Sequence, residues 1–265
     1  MIGRWLRRLG RTFAAPARID DDAWHSLLGS SPLFQRLTSH EHAALRTLSE
    51  RFLARKRFTA AADHVLTDAQ CLALAALACL PVLHLGFDRL AGWREVIVYP
   101  GEFRVKREYH DERSGVVTEG EDDLIGEAWE RGPLILSWAD VATDLENPFD
   151  GFNVVAHEIA HKLDMLDGAV DGVPRLPRHI TRQEWLAAMQ PAYDALVRSV
   201  ERGRDSLIDP YAADSVDEYF AVVSELHFSD PRLLRRAAPA VGTLLQRFYG
   251  PAADATLVAA TGSDR

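Results

Sequence analysis

Residues 153–168, NVVAHEIAHKLDMLDG, set the tightest constraint on how this chain folds. Val154, Val155, Ile159 and Leu163 recur at helical spacing, which predicts a helix buried among other elements. The same helix carries His157, Glu158 and His161. Residues i and i+4 share a helix face, so the two imidazoles point the same way. An internal helix cannot aim two imidazoles and a carboxylate at hydrocarbon without a large desolvation cost. The fold must therefore bring a partner to that face. A zinc ion fits, because two imidazole nitrogens supply half of a four-coordinate shell. Glu158, on the neighbouring side of the helix, is then placed as a general base for a zinc-activated water.

A catalytic zinc takes a third protein ligand. The pattern with a third histidine six residues after the second needs glycine at position 164 and histidine at 167, where this chain has Asp164 and Asp167. Asp167 remains a minor alternative as an aspartate ligand. Asp164 reads as an acceptor that orients a histidine or braces the helix. The other source is a later amphipathic segment, DPYAADSVDEYFAVVSELHF, residues 209–228, with a helix start near Ser215. It offers Glu218 and Glu225, seven apart on roughly one face, and spacing alone does not choose between them.

The chain is 265 residues long, enough for one large domain or two small ones. A net charge of −9 excludes a general nucleic-acid binder, which needs clustered excess Lys and Arg. Cys71 and Cys79 lie in one alanine- and leucine-rich run and read as buried thiols in a reducing compartment, so a soluble cytoplasmic protein is expected. That run, CLALAALACL, meets Pro81 well short of the roughly 20 apolar residues of a membrane-crossing helix. Residues 1–20 form a basic arm, with Arg4, Arg7, Arg8, Arg11 and Arg18 interleaved among Ile2, Trp5, Leu6, Leu9 and Phe13. The arginines interrupt any signal-peptide core, and the arm is expected to pack on the domain or stay free rather than hold a membrane.

Residues 21–90 predict a helical region packed on the rest: helices open at Asp22, at Ser31-Pro32, at SHEHAAL and after a cap at Thr67. His40 and His42 stand at a polar helix start, where solvent or capping explains them. From residue 93 the pattern changes, with a strand in WREVIVYPGEF, a charged strand or loop over 104–129, and a second strand over Leu134–Trp138. Helical patterns return from Asn153 to the end of PAVGTLLQRFYG. The expected architecture is α+β, with a catalytic part over 91–255 and a tail over 256–265.

Four segments together resemble one family: HEIAHKLD (157–164), GPLILSW (132–138), DPYAADS (209–215) and DEYFAVVSELHF (217–228). They are similar to the Mlc titration factor A peptidases, zinc metallopeptidases of the gluzincin group with a catalytic domain like that of anthrax lethal factor. The resemblance implies a zincin-like fold, with a small mixed sheet and an active-site helix, and one zinc per chain. It places the third ligand at Glu218, the glutamate before an aromatic pair, and leaves Glu225 as a supporting residue behind the ligands. It puts Tyr211 in the site, where a phenol can donate to the oxyanion of a tetrahedral intermediate. Leu134, Ile135, Leu136, Ser137 and Trp138 correspond to an edge strand that pairs with an extended peptide.

The implied activity is an aminopeptidase-type cleavage of peptides. Glu225, Asp164 and the acidic loop EGEDD (119–123) are candidates for holding a substrate's free amine. The resemblance also implies a partner, a Mlc-like transcriptional repressor of sugar uptake. The competing expectation is a regulatory protein that sequesters this repressor with little catalysis.

Overall fold

The computed structural model describes residues 18–62, 64–101 and 132–251. The basic arm up to residue 17, the charged segment 104–129 with its EGEDD loop, and the tail from 252 lie outside the described residues.

The chain begins with helices α1 (Asp21–Ser30), α2 (Pro32–Gln35) and α3 (Ser39–Arg55). Each has a sequence-encoded start. Asp20 accepts from the Asp22 and Ala23 amides, Ser31 caps α2 ahead of Pro32, and Thr38 with Glu41 forms a reciprocal capping box. A second capping box, Thr67 with Gln70, opens α4 (Asp68–Cys79), the apolar run that contains both cysteines. Its residues from Cys71 to Cys79 are all buried, and both thiols are free. This helix is apolar on every side because neighbours cover it all round.

Between α3 and α4 the structure departs from the helical reading of residues 21–90. Lys56 ends the helix, and Arg57–Ala60 forms strand β1. It pairs in parallel with β2 (Glu95–Tyr99), and β2 pairs in parallel with β3 (Leu134–Ser137), giving the order β1-β2-β3. The first third of the chain thus contributes a strand. The reason is the Phe58 and Thr59 pair, buried once β2 lies alongside. Every pairing among the described residues is parallel, so the antiparallel member of a mixed sheet has no counterpart there.

β3 also ends earlier than the sequence suggests. Ser137 caps a new helix by accepting from the Asp140 amide at 3.3 Å, so Trp138 is the first residue of α5 (Trp138–Glu146) and not the last of a strand. The choice follows from Ser137 itself, which favours a helix start over continued pairing. β3 remains an edge among the described residues, with β2 on one side only.

The later helices are α6 (Val154–Asp164), α7 (Arg182–Glu201), α8 (Val216–Ser229), α9 (Pro231–Ala237) and α10 (Pro239–Tyr249). The most extensive helix pair among the described residues is α6 against α8. An aromatic cluster sets α8 in place: Trp185 of α7, Phe220 of α8 and Phe248 of α10 meet edge to face at centroid distances of 5.1–6.3 Å. The fold is α+β, and its core is shared by the helices and the covered face of the sheet.

Candidate metal centre

Helix α6 delivers the two histidines because its start is fixed from three directions. Asn153 Oδ1 accepts from the Ala156 amide at 2.9 Å, and Asp144 Oδ2 of α5 accepts from the Val154 amide at 2.7 Å. Glu225 Oε1 of α8 accepts from the Asn153 amide at 3.3 Å. The otherwise orphan N–H groups of the helix thus meet acceptors from two other helices. Val155, Ile159 and Leu163 are buried, as the apolar spacing requires.

Across the interface, Ser215 caps α8 by accepting from the Glu218 amide at 3.3 Å, which puts Glu218 in the first turn. The approach of α8 is set by Gly172. Its φ is +70°, and a Cβ there would lie 2.6 Å from the Val216 carbonyl oxygen. Its N–H donates to Asp164 Oδ2 at 3.0 Å, and its carbonyl accepts from Trp185 Nε1 at 2.8 Å. Asp164 therefore braces the loop on which the start of α8 rests. Burial pushes its carboxyl up to about 7, and the Gly172 hydrogen bond opposes that rise.

Three donor atoms converge. His157 Nε2 and His161 Nε2 are 3.1 Å apart, and Glu218 Oε2 lies 3.3 Å from the first and 3.4 Å from the second. A tetrahedral ion with bonds of about 2.0–2.1 Å, as zinc has, holds its ligand atoms about 3.3–3.4 Å apart. The triangle is that size. Among the described residues these three form the group able to hold a metal ion.

The electrostatics ask for a cation at the same point. Burial alone would lower the pKa of His157, yet hydrogen bonds to Glu218 and Glu225 raise it to about 10. Burial would raise Glu218, yet the two histidines hold it well below the usual carboxylate range. Carboxylates of Glu218, Glu225 and Asp217 face the two imidazoles, and a divalent ion would balance the negative charge they bring there.

The outer nitrogens of both rings face carboxylates. Glu225 Oε2 lies 3.4 Å from His157 Nδ1, and Asp217 Oδ2 lies 3.8 Å from His161 Nδ1. Carboxylates behind metal-binding imidazoles select the tautomer that leaves Nε2 free. Glu158 is half-buried on α6 beside the pair. Tyr211 stands in a 3₁₀ turn, Pro210–Ala213, with its ring nearly parallel to that of His157 (27°) at a centroid distance of 6.4 Å. Asp167 is exposed in a turn after α6, outside the triangle. Lys162, also on α6, donates to the Gly132 carbonyl at 3.1 Å and so ties the approach to β3 onto the helix.

Asp144, Asn153, Asp217, Lys162 and Gly172 were not among the residues the sequence reading assigned to the site. Asp217 had a signal, its place directly before Glu218. Asp144 and Gly172 had none, since their roles depend on elements brought together by the fold.

Two histidines and a glutamate on adjoining helices form a group able to hold a metal ion, a feature of metallopeptidases, and the comparisons give the family. The family described as glucose-regulated metallo-peptidase M90 matches residues 4–250, and the chain belongs to it. Its relatives include a Mlc titration factor A from Pectobacterium atrosepticum, 39% identical over 230 residues, covering 85% of this chain and 84% of the relative. A protein of the same name from Escherichia fergusonii is 35% identical over 235 residues, covering 87% and 86%. An uncharacterized protein from Synechocystis is 37% identical over 229 residues, covering 85% and 82%.

Proposed function

We propose that the chain is a zinc-dependent peptidase, with His157, His161 and Glu218 as metal ligands. The observation that carries this reading is the 3.1–3.4 Å triangle of their donor atoms. When bound, zinc supplies Lewis-acid activation of water and of the scissile carbonyl. The remaining chemistry falls to the protein's own groups. Glu158 accepts the proton of the attacking water and returns it to the leaving amine. Tyr211 donates its phenol O–H to the oxyanion of the tetrahedral intermediate. Glu225 and Asp217 accept from the Nδ1–H groups of His157 and His161 and hold the rings in register.

The substrate in this reading is an extended peptide. Leu134, Ile135, Leu136 and Ser137 offer it the side of β3 that pairs with no strand among the described residues, and Trp138 flanks the strand from the first turn of α5. An aminopeptidase-type preference rests on the family resemblance, with Glu225 and Asp164 as amine-holding candidates. Both carboxylates are committed to backbone N–H groups, which weakens that assignment. Among the described residues no helix is long and apolar enough to cross a membrane. A cytoplasmic setting is supported by the two free, buried thiols.

A second reading is supported by the name of several relatives, Mlc titration factor A: the chain binds a Mlc-like repressor, with or without catalysis. Glu158→Ala separates the two. It is expected to retain metal and to lose peptide hydrolysis while any repressor binding persists. Wild-type metal content with undiminished hydrolysis in this variant would refute the role of Glu158.

A further inference from the structure

Helix α3 ends at a surface groove of about 440 Å³ whose walls include Arg55, Lys56, Phe87, Asp88, Trp93 and Arg94. That volume lies within the range of small-ligand sites, about 300–1,000 Å³. None of its lining residues belongs to the metal centre.

The groove is cationic in a protein of net charge −9. Lys56 is 4% exposed, and lysine is rarely that buried without a carboxylate partner. Its Nζ donates to the Leu90 carbonyl at 2.6 Å and the Trp93 carbonyl at 2.7 Å, and it lies 3.3 Å from the centre of the Trp93 ring. These contacts orient the ammonium, but none carries a negative charge. Arg94 and Lys162 direct further positive charge at it. Arg55 and Arg94 are exposed, and no carboxylate among the described residues pairs with either. Asp88, the one acid in the wall, faces Arg51 at 3.8 Å.

The aromatic groups complete the description. Phe87 is flanked by Arg51 and Arg55, at 4.5 and 5.7 Å from the ring centre, so an apolar face adjoins the guanidinium groups. The buried Trp93 indole N–H has no acceptor among the described residues. Two exposed guanidinium groups beside aromatic rings match a dianionic group on a planar or apolar body.

We propose that this groove is a binding site for a small phosphate monoester, whose phosphate is held by Arg55 and Arg94 at the mouth. Mixed-sign pairing elsewhere on the surface does not produce such a site. In the described structure Arg46 pairs with Asp21, Arg182 with Asp171 and Arg247 with Glu184. Arg55 and Arg94, with no carboxylate partner among the described residues, stand apart from that pattern.

The test is calorimetric titration of the full chain with phenyl phosphate in phosphate-free, low-salt buffer, with phenol and benzoate as controls. The expected result is one site per chain for phenyl phosphate, much weaker binding of benzoate and none of phenol. Arg55→Ala/Arg94→Ala should weaken binding about tenfold or more, as loss of charge-assisted hydrogen bonds does. Both arginines are exposed, so the double variant keeps the wild-type thermal midpoint, which the loss of Lys56 need not do. Absence of binding to the wild type, or equal affinity in the double variant, overturns the proposal. Equal affinity for benzoate overturns the phosphate assignment. Peptide hydrolysis does not enter the readout, so this result is independent of the metal centre.

Discussion

Glu225→Gln tests the architecture of the centre more sharply than removal of a ligand. The wild-type carboxylate faces two donors. Its Oε1 accepts from the Asn153 amide at 3.3 Å, and its Oε2 lies 3.4 Å from His157 Nδ1. A carboxylate accepts at both ends, whereas an amide accepts at one and donates at the other. Glutamine therefore satisfies either the start of α6 or the outer nitrogen of His157, and presents an N–H to the donor it does not satisfy. The shape of the side chain is unchanged, so packing is not the variable. Loss of a carboxylate behind a metal-binding imidazole weakens metal affinity about 10–100-fold. That range corresponds to about 1.4–2.8 kcal/mol. The assay is competition for zinc against a chromogenic chelator at fixed pH, with a thermal midpoint on the metal-free protein as the control. The reasoning is refuted if zinc affinity equals that of the wild type while the amide variant is fully folded.

Two further outcomes follow from the same geometry. Tyr211→Phe keeps the ring beside His157 and removes only the phenol O–H, so zinc content should be unchanged. If the phenol stabilises an oxyanion, turnover should fall about 10²–10³-fold, seen in kcat rather than in KM. Lys56→Met probes the buried ammonium through pH. Burial, with the charges of Lys162 and Arg94, lowers the pKa of Lys56 from 10.5 to about 7. Between those values the unfolded chain holds a proton that the folded chain releases, so wild-type stability rises with pH by up to about 1.4 kcal/mol per unit. Below about 7 both states hold the proton and the slope from this group vanishes. Denaturant titrations at several pH values in that window should show a flatter dependence in the variant, and parallel curves would contradict the assignment.

The parts of the site that follow a helical period are legible in the sequence. His157 and His161 are one turn apart, so any buried helix through 154–164 places them together, and the apolar spacing alone specifies that helix. The caps are legible for a similar reason, because Thr38, Thr67, Thr181 and Ser215 each act on residues within one turn. Strand β1 and the early end of β3 are less so. Four-residue elements carry little period, and at Arg57–Ala60 the alternation becomes meaningful only once β2 lies alongside. Asp144 and Gly172 have no local signature at all. Each acts through a backbone group contributed by another element, Asp144 on the Val154 amide and Gly172 against the Val216 carbonyl.

The choice between Glu218 and Glu225 is the most instructive case, because the ambiguity left by their spacing has a structural basis. Seven residues are about 10.5 Å along a helix and nearly two full turns, so both carboxylates leave α8 on the same side. That side faces α6. The structure brings both glutamates to the same imidazole, Glu218 to Nε2 at 3.3 Å and Glu225 to Nδ1 at 3.4 Å. What distinguishes them is the second histidine. Glu218 also reaches His161 Nε2, whereas the other oxygen of Glu225 is taken by the Asn153 amide. A helix face records that two carboxylates approach one ring, but not which nitrogen each meets. That is fixed by the register of α8 against α6, which Gly172 sets from a separate loop that Asp164, at the end of α6, holds in place. The different contacts of the two glutamates are therefore a property of the interface between the helices, and substitutions at Gly172 should disturb them without touching either carboxylate.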